Sequence, residues 1–593
     1  GTIDWLVVTA SSRSQAAGYR AMLSGLRTSG RMKGVRRWLV APDPMDRRAG
    51  SGNATIIALA RVLSARLAET RKSRTRTSVA DLLSDQRILI IHSGGDSRRL
   101  PPYSASGKLF LPLSRRNPDH TRATMFDLIL SDLSAVLQNA SESGATLIAS
   151  GDVLLNASAH PIRLGEAPIA GVAFPSTQET ASRHGVYVCN PDGLVSEFLQ
   201  KPDIETLRRA HAIRPDGTVL VDSGLVMMSH IAAAKVLRAC GLILDHARGN
   251  LRFSGESARI ISGKAASLDL YEHVLMAASG SSIGPQVLAR TLNHLGLAVR
   301  VIPTCDFLHV GTTAELLDIA AKDKRLTGDG SPPRRTVELA TTGREHVDLA
   351  RSSGSNWVDA CDLRARVSLR GRNVLVGAEV ARAITLPRRW GIVIIPIRDG
   401  RFVPVAFGDR DDFKTPVDRG GTLGNLPFSA FVARIPPSVR VWTDPDRPGA
   451  ARTLYDAAIW PIARSRSEAV HAIEWLWTPD APVPRQWIAG KRLSASETVR
   501  ACDHRALIAH REALASRMAA ESLKNLDAEP MSPPDIGDLG PTDAKRQLAP
   551  LVRSARREPS PSRRASRLWI ASEVAAIGGG DRSPLQQEAI DAV

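Results

Sequence analysis

Short apolar runs alternate with amphipathic stretches through roughly the first 330 residues. Trp5–Thr9, Arg87–His92, Thr146–Ser150, Gly171–Phe174, Val186–Cys189 and Ala298–Ile302 are brief, rich in β-branched residues and bounded by Gly, Ser or Asp, which predicts strands. Leu194–Leu199 is strand-like as well. Between them, Thr55–Glu69 and Met125–Gln138 carry apolar residues at helical spacing. Strands alternating with helices predict an α/β domain with a mostly parallel sheet, placed at residues 1–345. The pattern then changes. Cys361–Pro387 has short apolar steps and no helical period; Leu363, Leu369 and Leu375 fall six apart, and Val376-Gly377 resembles the corner of a hexapeptide repeat. Residues 346–445 are therefore expected to be β-rich, with a left-handed β-helix and an ordinary β-meander both open. Ser467–Trp477 and Ala495–Ser522 predict helices within a helical region at 446–527. Clustered Pro, Ser and Arg in Ala528–Pro561 read as a linker, and Ala565–Ala576 as a terminal helix stopped by Gly578-Gly579-Gly580, so that 528–593 is expected to be linker plus helix.

Composition narrows the class. Of 593 residues, 43% are hydrophobic and 23% charged, which excludes collagen-like, coiled-coil and wholly disordered chains. No apolar run approaches the ~20 residues of a membrane helix, so no membrane partner is expected. The five cysteines are scattered without a C-x-x-C pair, which argues against a disulfide framework or structural zinc and fits a reducing, cytoplasmic setting. A net charge of +18 raises the question of nucleic acid. No basic helix with base-stacking aromatics accompanies it, and the expectation is no nucleic-acid partner but a phosphate-rich substrate.

The richest chemistry lies in IHSGGDSRRLPPYSASGKLF, Ile91–Phe110, just after a predicted strand. Gly94 and Gly95 let a backbone come close to a ligand, and exposed N–H groups in such a turn cradle phosphate oxygens. Asp96, Ser97, Arg98 and Arg99 continue the loop; the arginines bring planar forks suited to phosphate, and Lys108 adds a mobile point charge. A tight turn with solvated arginines is the plain alternative. No G-x-x-x-x-G-K-[ST] is present, so this is not a P-loop.

The segment Gly94–Leu100 followed by Gly107–Pro112 resembles the sugar-1-phosphate nucleotidyltransferase signature, G-G-x-G-[ST]-R-L and P-K-x-L-x-P, with Arg99 and Lys108 at the signature arginine and lysine. It departs at Ser97, where the pattern has Gly, and at Gly107, where it has Pro. Together with Trp5–Tyr19, Gly50–Thr55, His184–Tyr187, Phe198–Pro202, Phe307–Thr312, Thr453–Pro461 and Arg492–Arg500, these departures are similar to the GDP-L-fucose pyrophosphorylase (fucose-1-phosphate guanylyltransferase) family, including the N-terminal half of bifunctional fucokinase/GDP-fucose pyrophosphorylases.

The resemblance implies a Rossmann-like fold and the transfer of GMP from GTP to L-fucose 1-phosphate, with Mg2+ as cofactor and Arg99, Lys108 and Asp152 in catalysis. Asp152 ends a predicted strand, where a carboxylate suits Mg2+ or caps the next helix; the family favours metal. Gly94, Gly95, Asp96, Ser97, Arg98, Gly52 and Asn53 are expected at the nucleotide, although Gly50–Thr55 reads equally as a helix N-terminal turn. Lys201, in Gln200-Lys201-Pro202, is expected at the sugar phosphate; Asp222, Ser223 and Gly224 at sugar hydroxyls or in a tight turn. His309 stands where many bacterial relatives carry a second metal-binding aspartate, and metal, phosphate or a core hydrogen bond all remain open for it. A nucleotidyltransferase for another sugar or base, a non-catalytic sugar-nucleotide-binding protein and an acyltransferase are the competing readings. The P-x-G-L-G-S-S-A loop of GHMP-type sugar kinases is absent, so this polypeptide is expected not to phosphorylate free fucose, while a kinase domain in a longer parent chain and homo-oligomer formation stay open.

Overall fold

The computed structural model describes residues 3–46, 48–70, 78–93, 95–117, 121–140, 144–155, 160, 162–245, 250–280, 285–293, 295–303, 305–319, 323–327, 336–349, 355–442, 452–478, 480–524, 536, 539–559 and 561–591. The chain divides into two compact units. One comprises Gly1–Asp96, Ser106–Phe110 and Met125–Val310; the other comprises Ser97–Ala105, Leu111–Thr124 and Gly311–Val593. The last switch between them along the chain follows Val310, and the glycine-rich segment contributes to both units.

The first unit is built on a nine-stranded sheet. Its main path runs Val195–Gln200, Gly185–Cys189, Val219–Ser229, Ala145–Ser150, Arg87–His92, Ile3–Ala10, Val35–Pro42; Ile169–Ser176 pairs with Val219–Ser229 and with Leu297–Val301. The expected strands are all present. The sheet is mixed, however, rather than mostly parallel: the half from Ala145–Ser150 to Val35–Pro42 is parallel, whereas Val219–Ser229 pairs antiparallel with three neighbours. Val35–Pro42 escapes the apolar pattern because it is an edge strand, where arginines are tolerated; Arg37 lies 5.3 Å over the Trp5 ring. Helices cover the sheet by simple periodicity. In Met125–Ala140 the buried residues Phe126, Ile129, Leu130, Leu133, Val136 and Leu137 form one apolar stripe. In Arg13–Thr28, Ser12 caps the N-terminus by accepting from Gln15 N, and Ala16, Tyr19, Leu23 and Leu26 face inward.

The second unit holds three small sheets paired in parallel. Thr336–Leu339, Asn356–Asp359, Val374–Val376 and Trp390–Pro396 form one, closed by antiparallel Phe402–Gly408. Val347–Leu349, Val367–Leu369 and Ile384–Leu386 form the second; Asp362–Leu363 and Glu379–Val380 the third. Partners advance along the chain by a nearly constant step. Thr336 faces Asn356 and Val347 faces Val367; one circuit later Trp357 faces Val374, Val367 faces Ile384 and Asp362 faces Glu379. Leu363, Leu369 and Leu375 each lie in a different one of these sheets, and all three are buried. Their regular spacing is one step from sheet to sheet. A β-meander, which pairs antiparallel, does not describe this region.

Three helical expectations are corrected. Ser467–Trp477 is a helix at Arg466–His471 followed by a separate 3-10 turn at Glu474–Trp477. Ala495–Ser522 is two helices, Ala495–Ala501 and His504–Lys524; Cys502 is extended, and the Asp503 carboxylate accepts from Arg505 N and Ala506 N to start the second. The supposed linker contains a helix, Pro541–Arg557. Its proline at the first turn is compatible with helix, and Ala544, Leu551 and Ala555 are buried on one side in spite of Pro550. Among the described residues no helix is long and apolar enough to cross a membrane.

A buried polar knot ties the second unit together. Tyr103 Oη donates to Asp359 Oδ2 at 2.7 Å and accepts from Trp357 Nε1 at 2.7 Å, and Arg511, from the His504–Lys524 helix, pairs with the same carboxylate. The Asp359 side chain is wholly buried. Replacing it leaves a guanidinium and a hydroxyl without their acceptor. Asp359→Ala is expected to lower unfolding stability by about 3–5 kcal/mol. Tyr103→Phe, which leaves the Trp357 N–H without its acceptor, should lose about 1–3 kcal/mol, both read by urea denaturation.

Candidate functional site

The Arg87–His92 and Ala145–Ser150 strands run parallel with His92 opposite Ser150, so the chain leaves both at the same edge of the sheet. The first strand leads into the glycine-rich loop and the second into Gly151-Asp152. Gly151 N donates to His92 O at 2.9 Å, and a Cβ on Gly151 would stand only 3.0 Å from that oxygen, so glycine lets the two strand ends close together. Ligands of α/β sheets collect at this carboxyl edge.

Asp152 is the focus there. Ser150 Oγ donates to its Oδ1 at 2.7 Å; Lys108 Nζ lies 3.3 Å and His309 Nε2 3.4 Å from its Oδ2. His309 is delivered by a two-residue ribbon, Leu308–His309 antiparallel to Val153–Leu154, with Val310 N donating to Asp152 O at 3.2 Å. Burial alone raises the Asp152 pKa. The His309 hydrogen bond and the Lys108 charge outweigh it and hold the carboxyl well below the usual carboxylate range. Asp152 therefore stays ionised throughout the neutral range, and its contribution to stability is complete above the ordinary carboxylate range and is lost as pH falls below it.

Two residues of the Arg13–Thr28 helix, Gln15 and Tyr19, lie beside this edge without having been assigned a role. Tyr19 Oη donates to Ser93 O at 3.0 Å, and its ring packs against Gly107 and against Phe110, centroids 5.3 Å apart. One turn earlier on the same helix, Gln15 Nε2 donates to Gly95 O at 3.0 Å while its Oε1 accepts from Ser11 N. Their signal was present in Trp5–Tyr19, whose likeness to the family was visible but carried no role.

The other expected residues separate into groups. Asp222, Ser223 and Gly224 occupy a bulge where the Val219–Ser229 strand shifts register between Asp222 and Leu225. Gly224 lies against Ser150, and Ser223 Oγ donates to Val172 O at 2.7 Å. Asp222 accepts from Tyr187 Oη at 3.2 Å and is hydrogen-bonded by Tyr271; both tyrosine rings pack on Phe198. Burial pushes the Asp222 carboxyl up to about 7, against the opposing Gly224 N–H and tyrosine hydroxyls. Lys201 is exposed and left-handed, with φ 51°. Gly52 and Asn53 sit in the first turn of the Ser51–Thr70 helix: Gly52 N donates to Leu268 O, and the buried Asn53 amide donates to Ala49 O and Ala266 O. Gly94 lies outside the described residues. Gly95 is exposed and Asp96 partly buried. In the second unit, Ser97 is buried, Arg98 places its guanidinium 4.3 Å over the Tyr455 ring, and the Arg99 side chain is exposed while its carbonyl accepts from Thr313 N at 3.0 Å.

The fucose pyrophosphorylase domain family matches residues 80–465, well over half of the chain. The chain belongs to this family. It is 27% identical over 567 residues to a bifunctional fucokinase/GDP-fucose pyrophosphorylase of Arabidopsis thaliana, covering 84% of this chain and 50% of that one. It is 22% identical to an L-fucokinase/L-fucose-1-P guanylyltransferase of Bacteroides fragilis, covering 80% and 48%, so it spans about half the length of both. With a fucose-1-phosphate guanylyltransferase of Homo sapiens the identity is 24%, over 79% of this chain and 82% of that one. Among solved structures, a mannose-1-phosphate geranyltransferase from Thermus thermophilus aligns at 11% identity with a TM-score of 0.25, covering 69% of this chain and 96% of that one.

One of the two departures from the general signature, Gly107, now has a physical reason, while Ser97 keeps the backbone conformation that the pattern's glycine would favour. Ser97 is left-handed, φ 49°, a conformation that glycine adopts without penalty and serine only under constraint. Gly107 has φ 79°, which proline, fixed near −65°, cannot adopt. A Cβ at Gly107 would also stand 2.2 Å from Tyr19 Oη. Gly107→Ala is therefore expected to lower stability by about 1–3 kcal/mol and to displace Lys108, read as a lower melting temperature together with lost turnover. Asp222 yields a pH test. Its folded pKa stands above the unfolded one, so the stability it contributes is complete below the ordinary carboxylate range and is lost as pH rises towards about 7. Asp222→Asn should remove a slope approaching ~1.4 kcal/mol per pH unit between about pH 4 and pH 7. Urea unfolding of both proteins across that range measures the difference.

Proposed function

We propose that this chain transfers GMP from GTP to L-fucose 1-phosphate, releasing pyrophosphate. Family membership and the activities named for the three relatives support the reaction class and the sugar. The observation that carries the site is the Asp152 carboxylate at a strand end, bracketed by Lys108 and His309. Among the described residues no group of three or more His, Cys, Asp and Glu could enclose a metal ion. That donor set fits Mg2+ all the same, because Mg2+ is commonly held by one or two carboxylates with substrate phosphates and water completing its shell. Asp152 would hold it, with His309 adjacent, and the ion would supply positive charge to the phosphate oxygens.

The chain's own residues then perform an electrostatic task. Two anions must approach, and no enzyme nucleophile is required; the sugar-phosphate oxygen displaces pyrophosphate in line. Arg99 and Lys108 neutralise the triphosphate and the departing pyrophosphate. Lys201 holds the sugar phosphate, and Asp222, with Tyr187 and Tyr271 about it, offers hydrogen-bonding groups to sugar hydroxyls. Gly95, Asp96, Ser97 and Arg98 serve the nucleotide. Gly52 and Asn53 act on it only through the helix turn they build. We read the three parallel sheets of the second unit as coils of a β-helix that scaffolds rather than catalyses. A cytoplasmic setting agrees with five cysteines, none of which is in a disulfide.

The test is pyrophosphate release across four nucleoside triphosphates and a panel of sugar 1-phosphates with Mg2+. GTP with L-fucose 1-phosphate should be the best pair; a different best pair overturns the substrate assignment, and tight GDP-sugar binding without turnover overturns catalysis. Lys108→Ala should lower turnover about 10²–10³-fold. Its unfolding midpoint should barely move, since a partly exposed ion pair contributes about 0–1 kcal/mol.

A further inference from the structure

The motif Thr453–Pro461 lies far along the chain from the glycine-rich loop and has no part in the chemistry proposed for the site. Its Tyr455 sits on a 3-10 turn, Leu454–Asp456, and is buried. The Arg98 guanidinium lies 4.3 Å over the Tyr455 ring. A backbone relay joins the same two residues: Phe413 N donates to Arg98 O at 3.2 Å, and Phe413 O accepts from Tyr455 N at 3.3 Å. Thr453 Oγ1 donates to Asp456 Oδ2 at 3.1 Å and stiffens the turn. All of these residues belong to the second unit.

We infer that Tyr455 is a positioning residue for nucleotide binding, acting through Arg98. The inference rests on the reading that the loop takes the triphosphate. Stacking engages the face of a guanidinium, whereas the donors that recognise phosphate lie in its plane and around its edge. A ring under Arg98 therefore fixes the plane in which those donors point and removes rotamer freedom that binding would otherwise have to remove. Residues far along the chain thereby set the affinity for the nucleotide without touching it.

Four variants of the full chain test this: Tyr455→Leu, Tyr455→Phe, Arg98→Ala and the Arg98→Ala/Tyr455→Leu double variant. Tyr455→Leu should raise KM for GTP roughly 3- to 30-fold, the range of a cation–π contact. KM for L-fucose 1-phosphate and kcat should stay within about two-fold. Tyr455→Phe, which keeps the ring, should restore the KM for GTP. In the Arg98→Ala background the leucine substitution should add nothing. An unchanged KM for GTP in Tyr455→Leu, or its full effect appearing in the double variant, overturns the inference. Should Tyr455→Leu fail to fold by circular dichroism, pentafluorophenylalanine at position 455 keeps the shape and inverts the ring's charge distribution. A raised KM for GTP then supports the role and an unchanged one overturns it. A wild-type chain that neither binds GTP by calorimetry nor releases pyrophosphate sinks the underlying reading, an outcome seen before any variant is compared.

Discussion

Asp152 keeps a negative charge in a half-buried corner because an ammonium and an imidazole stand beside it. Burying a carboxylate is unfavourable unless opposite charge and hydrogen bonds offset it. The rest of the first unit can be understood as meeting that condition. Two parallel strands end together and bring the carboxylate to the sheet edge. A short ribbon brings His309 to it; on the Arg13–Thr28 helix, Gln15 and Tyr19 bond the backbone of Gly95 and Ser93, and the Tyr19 ring packs beside Gly107 and Phe110, the neighbours of Lys108. Because the Lys108–Asp152 pair is partly exposed, these supports matter for where the charged groups stand more than for the stability of the fold.

Much of this was legible beforehand. Short β-branched runs marked the strands because a buried strand needs little else, and Arg87–His92 has the bounds expected from its sequence. Lys108 and Asp152 were both singled out, the first by its loop and the second by its strand-end position. Their pairing was not readable, since it depends on the register of two strands and on His309 arriving from a remote part of the chain. The hidden elements have common causes. Val35–Pro42 is an edge strand whose arginines mask its period, and Pro541–Arg557 is a helix rich in charge with a proline inside. Asn53 drew attention as a polar residue near a glycine turn; its amide donates to Ala49 O and Ala266 O, while its Oδ1 has no partner among the described residues. Polar identity shows that a residue can bind a ligand; only its neighbours show whether it is already engaged.

The second unit solves a different problem. Three narrow parallel sheets expose many chain turns, and buried polar groups within them need well-placed partners. Asn373, fully buried, donates to Pro387 O and Trp390 O and accepts from Gly371 N, pinning one turn to the next. Asp359 does the same on a larger scale, gathering Tyr103, with the nearby Trp357 on that hydroxyl, and Arg511 from two distant parts of the chain. Buried polar networks of this kind favour one arrangement of the chain over its alternatives, although Asp359 Oδ1 has no hydrogen-bond partner among the described residues.

The two units are interleaved along the chain: Ser97–Ala105 and Leu111–Thr124 belong to the second although they are flanked by segments of the first. No single scission can part them. A fragment ending at Val310 would carry two stretches stranded from their folding partners, one bearing Arg98 and Arg99, and its complement would lack Tyr103 for Asp359. Dissection, tag insertion or fusion at that apparent seam would therefore maim both halves, and an autonomous piece of this chain would have to retain the parallel sheets of the second unit along with the strands that precede them.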